Sequence, residues 1–394
     1  MIQKEINNIE KSDLENLIEN SVKESKTIEY KESLCISSER EKKEFLSDVS
    51  SFANASGGDL IFGIRENRET GFPEELVGIE INNIDSLQLK IDTLLRDTIS
   101  PRLNGIQSKV IELEKNRSVL ILRITKSWNA PHQVTYKGTD KFYTRSNNGK
   151  YKLDVIELRN AFLASETLGQ NIKNFRTERI ANIVSNEGFA PLMENGKIIL
   201  HIIPFQSFET GKIFQISDIV ERHELMKPLG NVNHYDIKYN FDGLLSYDNY
   251  NLTDPSHSYL QLFKKGIIET VDSWFIQEFN GERKLYLNQI EEMIWGFMHK
   301  IPKFYNHLKI TPPFVALLTM TGVKGYQLGL PTFYPFGEPI KVEKETLVFP
   351  EIVFEDWNTK IDKLIKPWFD SMWNSVGKKE SPNYVDDHWQ IIKK

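Results

Sequence analysis

The chain has 394 residues, 40% of them apolar and 26% charged, with a net charge of −6; that length holds two or three domains with buried cores, and the composition excludes a disordered or fibrous protein. Its one cysteine, Cys35, excludes an internal disulfide and a cysteine-based zinc site, and its eight histidines show no HExxH or comparable ligand spacing. No run approaches about 20 apolar residues and the start, MIQKEINNIEKSDLENLIEN, is polar and acidic, so a reducing cytoplasm without a membrane partner is expected.

Along the chain, Ser12-Asp-Leu-Glu15 reads as a capping box that opens a short helix with Leu14, Leu17 and Ile18 on one face. ESKTIEYKES (24–33) then crowds three glutamates and two lysines into ten residues. Its TIEYKES part alternates as a strand, with Glu29 and Lys31 on one face and Ile28, Tyr30 and Glu32 on the other. Ser38-Glu-Arg-Glu41 is a second capping box, and the helix after it carries Phe45, Val49, Phe52 and Ala53 and should stop at Gly57-Gly58. A short central strand is expected from Asp59 to Ile64, a helix from about Ser86 to Thr98, and strands near 108–113, 118–125 and 141–145. A helix from Leu153 to about Ser165 closes an α+β domain, residues 1–168.

Residues 169–394 read as a second α+β domain. The expected order is helix NIKNFRTERIANIVSNEG, strand KIILHIIPF, helix QISDIVERHEL, then strands around 236–247 and 258–278 with a turn at Asp242-Gly243. Asn288-Gln-Ile-Glu291 should cap a long helix that Pro302 kinks or breaks. TPPFVALLTMTGV suits a buried strand and WNTKIDKLIKPWFDSMWNSVG a terminal helix. Trp274, Trp295, Trp357, Trp368 and Trp373 fit a core or an oligomer interface better than a ligand cage. The second domain offers little chemistry of its own.

Charge is unevenly spread. Residues 1–95 carry a net −9, whereas residues 96–150 carry +7, the pattern of a phosphate-facing surface inside an acidic chain. In that segment Arg123, Lys126, Lys141 and Arg145 alternate with Trp128, His132, Tyr136 and Tyr143, so cations could grip a nucleic-acid backbone while aromatics stack bases. The ordinary structural reading stands beside it. Tyr143 packs in the core, Arg145 pairs with an acid such as Asp154, and His132 hydrogen-bonds a loop backbone. Glu29-x-Lys31 likewise has two readings, a carboxylate and ammonium presented together to a phosphate, or charges guarding a strand edge.

Glu24-Ser25, Ile28-Glu29-Tyr30-Lys31-Glu32-Ser33, FLSDVSSFANASGGDLIFGI, Pro131-His132 and Phe142-Tyr143-Thr144-Arg145 together resemble the Schlafen-type AlbA domain, over roughly residues 12–165. The C-terminal half resembles only a poorly characterised extension found beside such domains in bacteria. The resemblance implies nucleic-acid binding, and in the better understood members cleavage of structured RNA, chiefly tRNA, by three metal-binding carboxylates. Carried over residue by residue, these are Glu24, Glu29 and Glu66, with Glu66 where aspartate is usual and Mg²⁺ or Mn²⁺ as the ion. Glu29-x-Lys31 separately resembles the ExK element of many metal-dependent nucleases, which implies Lys31 facing the scissile phosphate. Hard divalent ions of this kind take oxygen ligands and assist phosphodiester cleavage.

An offset of five places Glu24 and Glu29 on opposite faces of a continuous strand, so their convergence requires a turn around Lys23–Lys26. Some bacterial members carry an ATP-binding label, but ATP finds no support in the residues. No GxxxxGK[ST] occurs, and Gly57-Gly58 leads into a strand rather than a helix N-terminus. Three readings result: a metal-dependent endoribonuclease acting on tRNA-like RNA, with anti-phage defence implied by family likeness; a non-catalytic regulator on the same fold that binds DNA or RNA, single-stranded nucleic acid included; and an interaction protein that forms homo-oligomers.

Overall fold

The structure is a computed structural model that describes residues 1–394 except 68–69, 104–105, 115, 210, 231, 249–253, 330–339, 358–359 and 392–394. The chain divides into two compact units, Met1–Thr167 and Leu168–Lys394.

The first unit runs α1 (Lys11–Glu19), β1 (Ile28–Lys31), α2 (Glu39–Ala53), β2 (Gly58–Phe62), β3 (Ile64–Glu66), β4 (Pro73–Leu76), α3 (Ile84–Thr98), β5 (Ile99–Ser100), β6 (Ile106–Glu112), β7 (Ser118–Ile124), β8 (Gln133–Tyr136), β9 (Thr139–Ser146) and β10 (Gly149–Lys152), and ends in the first turns of α4 (Val155–Val184). One sheet has the order β1-β2-β7-β6, with β1 parallel to β2 and the remaining pairs antiparallel. A second antiparallel sheet has the order β10-β9-β8-β5.

Strand β2 is central and buried on both faces, and its alternation divides the core. Leu60 and Phe62 join Phe45, Val49 and Phe52 of α2 in one cluster, while Ile61 joins Ile28, Tyr30 and Leu14 in another. Glu29 lies beside Leu60 in the ladder, so it and Lys31 share the α2 face while Ile28 and Tyr30 take the opposite one. The strand's charged side thus points toward a helix, not toward water.

Helix α2 starts as its sequence dictates. The Ser38 Oγ accepts the Glu41 N–H at 3.3 Å and the Glu41 carboxylate accepts the Ser38 N–H at 2.8 Å, a reciprocal cap. Phe45 to Ala53 are buried without a break, and the serines there satisfy themselves: Ser47 Oγ donates to Glu44 O at 2.7 Å and Ser51 Oγ to Asp48 O at 2.7 Å. Gly57 follows at φ +69°, and a Cβ there would lie 2.6 Å from the Lys126 nitrogen and 2.7 Å from the Ile124 carbonyl oxygen. Close approach to β7 requires glycine here.

The first helix departs from expectation. It begins at Lys11, and Asp13, not Glu15, closes the cap by accepting the Glu10 N–H at 2.7 Å. The two helices expected at 153–165 and from Gln170 are one, because Gly169 is tolerated inside α4 without a break.

The second unit continues α4 and then places β11 (Lys197–Pro204), β12 (Asp236–Tyr239), β13 (Gly243–Tyr247), β14 (Ser258–Phe263), β15 (Ile268–Asp272), β16 (Glu278–Phe279), β17 (Glu282–Leu285), α5 (Leu287–Met298), α6 (Ile301–His307), β18 (Phe314–Thr321), β19 (Gln327–Leu328), β20 (Thr346–Val348), β21 (Ile352–Phe354), α7 (Ile361–Ser375), β22 (Tyr384–Val385) and β23 (His388–Trp389). Its main sheet has the order β12-β13-β14-β15-β11-β18-β20, with β21 also on β18. One sheet face packs Leu200, Leu260 and Leu318 with Ile294, Phe304, Trp368 and Phe369 of α5–α7; the other packs Ile199, Tyr259 and Val271 with Ile183 of α4.

Pro302 separates α5 from α6, as its missing N–H and ring demand. The expected Asn288 cap is absent: α5 starts at Leu287, with Tyr286 at the cap position and no side-chain bond. QISDIVERHEL forms a 3₁₀ segment, Ser217–Met226, bent at Arg222 rather than an α-helix. The front of the expected terminal helix, 358–359, lies outside the described residues. Among the described residues no helix is long and apolar enough to cross a membrane.

Candidate functional site

The sequence reading required the chain to turn before β1 if Glu24 was to approach Glu29, and it does turn. Ser25 and Ile28 bridge each other, with Ser25 N–H to Ile28 O at 3.0 Å. This folds Glu24 back so that its Oε1 accepts the Tyr30 N–H at 2.8 Å. One acid thereby closes a backbone donor on the free edge of β1.

Glu29, on the α2 side of the strand, enters a chain of alternating charges. Its Oε1 lies 2.5 Å from Lys31 Nζ and its Oε2 lies 2.6 Å from Arg145 Nη2. Lys31 reaches onward to Asp48 Oδ2 at 4.0 Å, and Lys150 Nζ closes on Asp48 Oδ1 at 2.5 Å and on Glu44 Oε1 at 2.6 Å. Arg145 is 3% exposed and its guanidinium stacks 3.6 Å from the centre of the Phe52 ring. The helix α2, the first sheet and the β9–β10 hairpin are joined through these side chains.

Burial and charge set the protonation of the cluster. Burial opposes the charge on Glu29, but Lys31 and Arg145 outweigh it and hold its carboxyl below the usual range. Burial likewise opposes the charge on Lys31, yet Asp48 and Glu29 keep its ammonium above its ordinary value. Asp48 is pushed up to about 6, first by burial and then by the charge of Glu29. Glu24 also rises to about 6, through burial foremost and then the charges of Glu29 and Glu66, against the Tyr30 hydrogen bond.

A carboxyl raised on folding stabilises the fold below its unfolded pKa and loses that contribution as pH rises through the folded value. Glu24→Gln keeps an acceptor for Tyr30 and removes the charge. It is expected to match the parent at pH 4 and below and to exceed it at pH 7.5 by about 1 kcal/mol, the shift being discounted for solvent screening. Thermal melts across that pH range check it, and a constant difference at both ends would refute the assignment.

The three acids of the expected metal centre therefore feel one another, but they do not form a donor set. Both oxygens of Glu29 are taken by cations, Glu24 is committed to Tyr30, and Glu66 ends β3 half-buried. Among the described residues no group of three or more His, Cys, Asp or Glu is placed to hold a metal ion. In this arrangement Lys31 and Arg145 supply the charge that compensates Glu29.

The expected nucleic-acid contacts divide in two. Arg123 is corrected to an internal clamp: it pairs with Asp59 at 2.7 and 2.9 Å and donates to the carbonyls of Lys4 and Ile2, since its strand faces the N-terminal segment rather than solvent. His132 is corrected to a packed residue, 1% exposed, with Nδ1 2.7 Å from Pro101 O and Nε2 2.6 Å from Ser127 Oγ; burial lowers its pKa. Arg145 is corrected to the Glu29 partner described above, and it does not pair with Asp154. Lys126 lies over the Trp128 ring at 4.3 Å and Lys141 is exposed.

Sequence reasoning missed Asp48, Glu44 and Lys150. Asp48 carried a signal, a lone acid amid the apolar run FLSDVSSFA, but Lys150 sits in a short hairpin whose pairing the sequence does not declare. Glu44 and Lys150 line a cleft of about 460 Å³ between α2 and the β9–β10 hairpin, walled also by Glu39, Arg40, Lys43, Ser47 and Tyr143. Lys152 stands opposite Tyr143 in the ladder, and Lys141 lies two residues before Tyr143 on the same strand face. Glu39 is paired with Lys137 and Glu44 with Lys150, which leaves the cleft an excess of positive charge from Arg40 and Lys43.

The second unit holds a separate buried cluster. Glu269 accepts from Arg179 Nε at 2.8 Å and Nη2 at 3.0 Å, from His201 Nε2 at 3.0 Å and from the Tyr259 hydroxyl at 2.8 Å. Burial works against its charge, but the hydrogen bonds from His201 and Arg179 prevail and bring the carboxyl down to about 2.

Comparison with known proteins places the first unit. Residues 24–154 match the family model Schlafen, AlbA_2, so the N-terminal unit contains a Schlafen-type AlbA domain. An uncharacterised ATP-binding protein of Ureaplasma parvum serovar 3 is 21% identical over 197 residues, 47% of this chain. The chain spans about half of that relative's length, 52%. Among solved structures, the N-terminal domain of a RecG-related protein from Nitrosomonas europaea aligns with 33% of this chain and 86% of its own, at 19% identity and a TM-score of 0.26.

Proposed function

We propose that the N-terminal unit is a nucleic-acid-binding module whose phosphate-facing surface is the cleft between α2 and the β9–β10 hairpin. The observation that carries this reading is the uncompensated charge of Arg40 and Lys43 beside the half-buried Tyr143, with Lys141 and Lys152 on the adjoining strand face. Cations track the backbone and an aromatic ring stacks a base, the combination that single-stranded RNA or DNA requires. The buried chain from Arg145 to Glu44 underlies the cleft and fixes the hairpin against α2. The Schlafen AlbA_2 match supports a nucleic-acid-related role for the domain.

Fluorescence anisotropy with a labelled single-stranded RNA, a tRNA and a single-stranded DNA, at about 50 and 200 mM salt, tests it. The parent is expected to bind with a steep salt dependence. Arg40→Glu combined with Lys43→Glu should weaken binding at least about tenfold and flatten the log–log salt slope by about 1–2. Unchanged affinity and slope in the double variant would remove the cleft from consideration.

A finer reading, a Mg²⁺- or Mn²⁺-dependent endoribonuclease acting on tRNA-like RNA, is favoured by one observation: Glu24 is held near pKa 6 partly by the charges of Glu29 and Glu66. Incubating tRNA with Mn²⁺ and with EDTA distinguishes it from binding alone. Glu24→Gln is the informative variant because the amide preserves the Tyr30 bond. Metal-dependent cleavage that this change abolishes would favour the nuclease; binding without cleavage favours the module. A place in anti-phage defence would follow from the nuclease reading and the family likeness together.

A further inference from the structure

The first turns of α4 carry large apolar side chains that the first unit leaves mostly exposed, although the Phe162 ring meets Phe142 edge-on at 6.1 Å. Val155 is 77% exposed, Ile156 71%, Phe162 53% and Leu163 51%. At 100° per residue these four, with Arg159 and Glu166, fall within one arc of about 120°. Four exposed large apolar residues on one helix face are more than scattered surface exposure produces.

The arc is self-complementary. Arg159 and Glu166 are seven residues apart, so they align along the helix about 10.5 Å from each other, and the midpoint between them falls between Phe162 and Leu163. An antiparallel copy related by a two-fold axis at that midpoint sets each Arg159 opposite the partner's Glu166. On one flank Phe162 meets its own counterpart and on the other Leu163 does. Among the described residues neither Arg159 nor Glu166 has an ion-pair partner within the chain, although neighbouring Glu157 is engaged by the Tyr151 hydroxyl at 3.0 Å.

We infer that residues 155–166 of α4 form an isologous interface between two copies of this chain. A two-fold contact presents the same patch on both sides, and here the apolar centre and the opposite charges flanking it satisfy that condition without another molecule. About 18 Å of helix is a small interface, so the dimer is weak, with a dissociation constant of about 10–100 µM. This inference does not depend on the nucleic-acid reading of the cleft.

Analytical ultracentrifugation of the full chain between about 5 and 300 µM tests it at low salt. The parent is expected to shift from monomer to dimer across that range. Arg159→Glu and Glu166→Arg, both on exposed side chains, should each weaken the dimer about tenfold, and the two combined should restore it because each pair is re-formed with its signs exchanged. In a Cys35→Ser background, Leu163→Cys should form an intermolecular disulfide under mild oxidation, and Glu178→Cys should not. A parent that stays monomeric throughout, or a dimer indifferent to the single changes, or no recovery in the double variant, would overturn the interface.

Discussion

Replacing Glu29 by glutamine should destabilise the first unit by about 3–5 kcal/mol, the usual cost of removing one partner from a buried ion pair. Glu29 is 7% exposed and holds two cations at 2.5 and 2.6 Å. Its loss leaves Arg145 inside the protein with only the Ser25 carbonyl at 3.4 Å and the Phe52 ring beside it. Hydrogen exchange of the β1 and β2 amides reads the loss directly, because those strands should open only with the unit's cooperative unfolding. Adding Arg145→Met should return a large part of the lost stability, since the orphaned charge goes with it.

The pH dependence carries the sign. A carboxyl held below its ordinary range contributes stability above the unfolded value, near 4.5, and loses it as pH falls through the folded one. The gap between parent and Glu29→Gln should therefore be full at pH 7 and close as the solution becomes acidic. A gap that does not narrow at all between pH 7 and pH 3 would mean that packing rather than charge supplies it. The same reasoning governs nuclease assays. A dead Glu29→Ala variant would report a collapsed hairpin as readily as a missing catalytic group, whereas Glu24→Gln leaves the buried pairs intact.

The elements that position this cluster were largely legible in the sequence, and the cluster itself was not. TIEYKES announced its alternation, and Ser38 with Glu41 announced a helix start, because caps and periodicity are local signals. The turn before β1 was required by the spacing of Glu24 and Glu29. What those side chains touch is a long-range matter. Arg145 is separated from Glu29 by more than a hundred positions, and the two meet only because the β9–β10 hairpin closes over α2. Arg123 misled for the same reason: its charge in a basic segment looked available, but its strand partner is Asp59 across the ladder. In the second unit Ser217–Met226 carried an amphipathic helical pattern, yet its backbone took a tighter, bent course at Arg222. Periodicity does not separate α from 3₁₀ over so short a span.

Glu269→Gln should cost the second unit about 3–5 kcal/mol for a related reason with a different electrostatic setting. Glu269 is wholly buried and accepts four hydrogen bonds, two from the Arg179 guanidinium and one each from His201 and Tyr259. An amide in its place must turn its NH₂ toward a donor, which strands that donor and leaves the guanidinium without a counter-charge. Six of the seven tryptophans, Trp274, Trp295, Trp357, Trp368, Trp373 and Trp389, belong to this unit, so intrinsic fluorescence during urea unfolding follows it almost alone. The midpoint should fall with little change in slope, because the surface exposed on unfolding is nearly the same. Glu269 has a folded pKa near 2, so its contribution persists from pH 5 to 8 and is lost only as pH falls toward that value. From pH 5 to 8, while the Glu24→Gln difference is still growing, the Glu269→Gln difference should stay constant. If both differences moved together with pH, the opposite shifts assigned to the two carboxyls would be wrong, and with them the idea that Glu24 lacks the cationic partners that Glu29 and Glu269 possess.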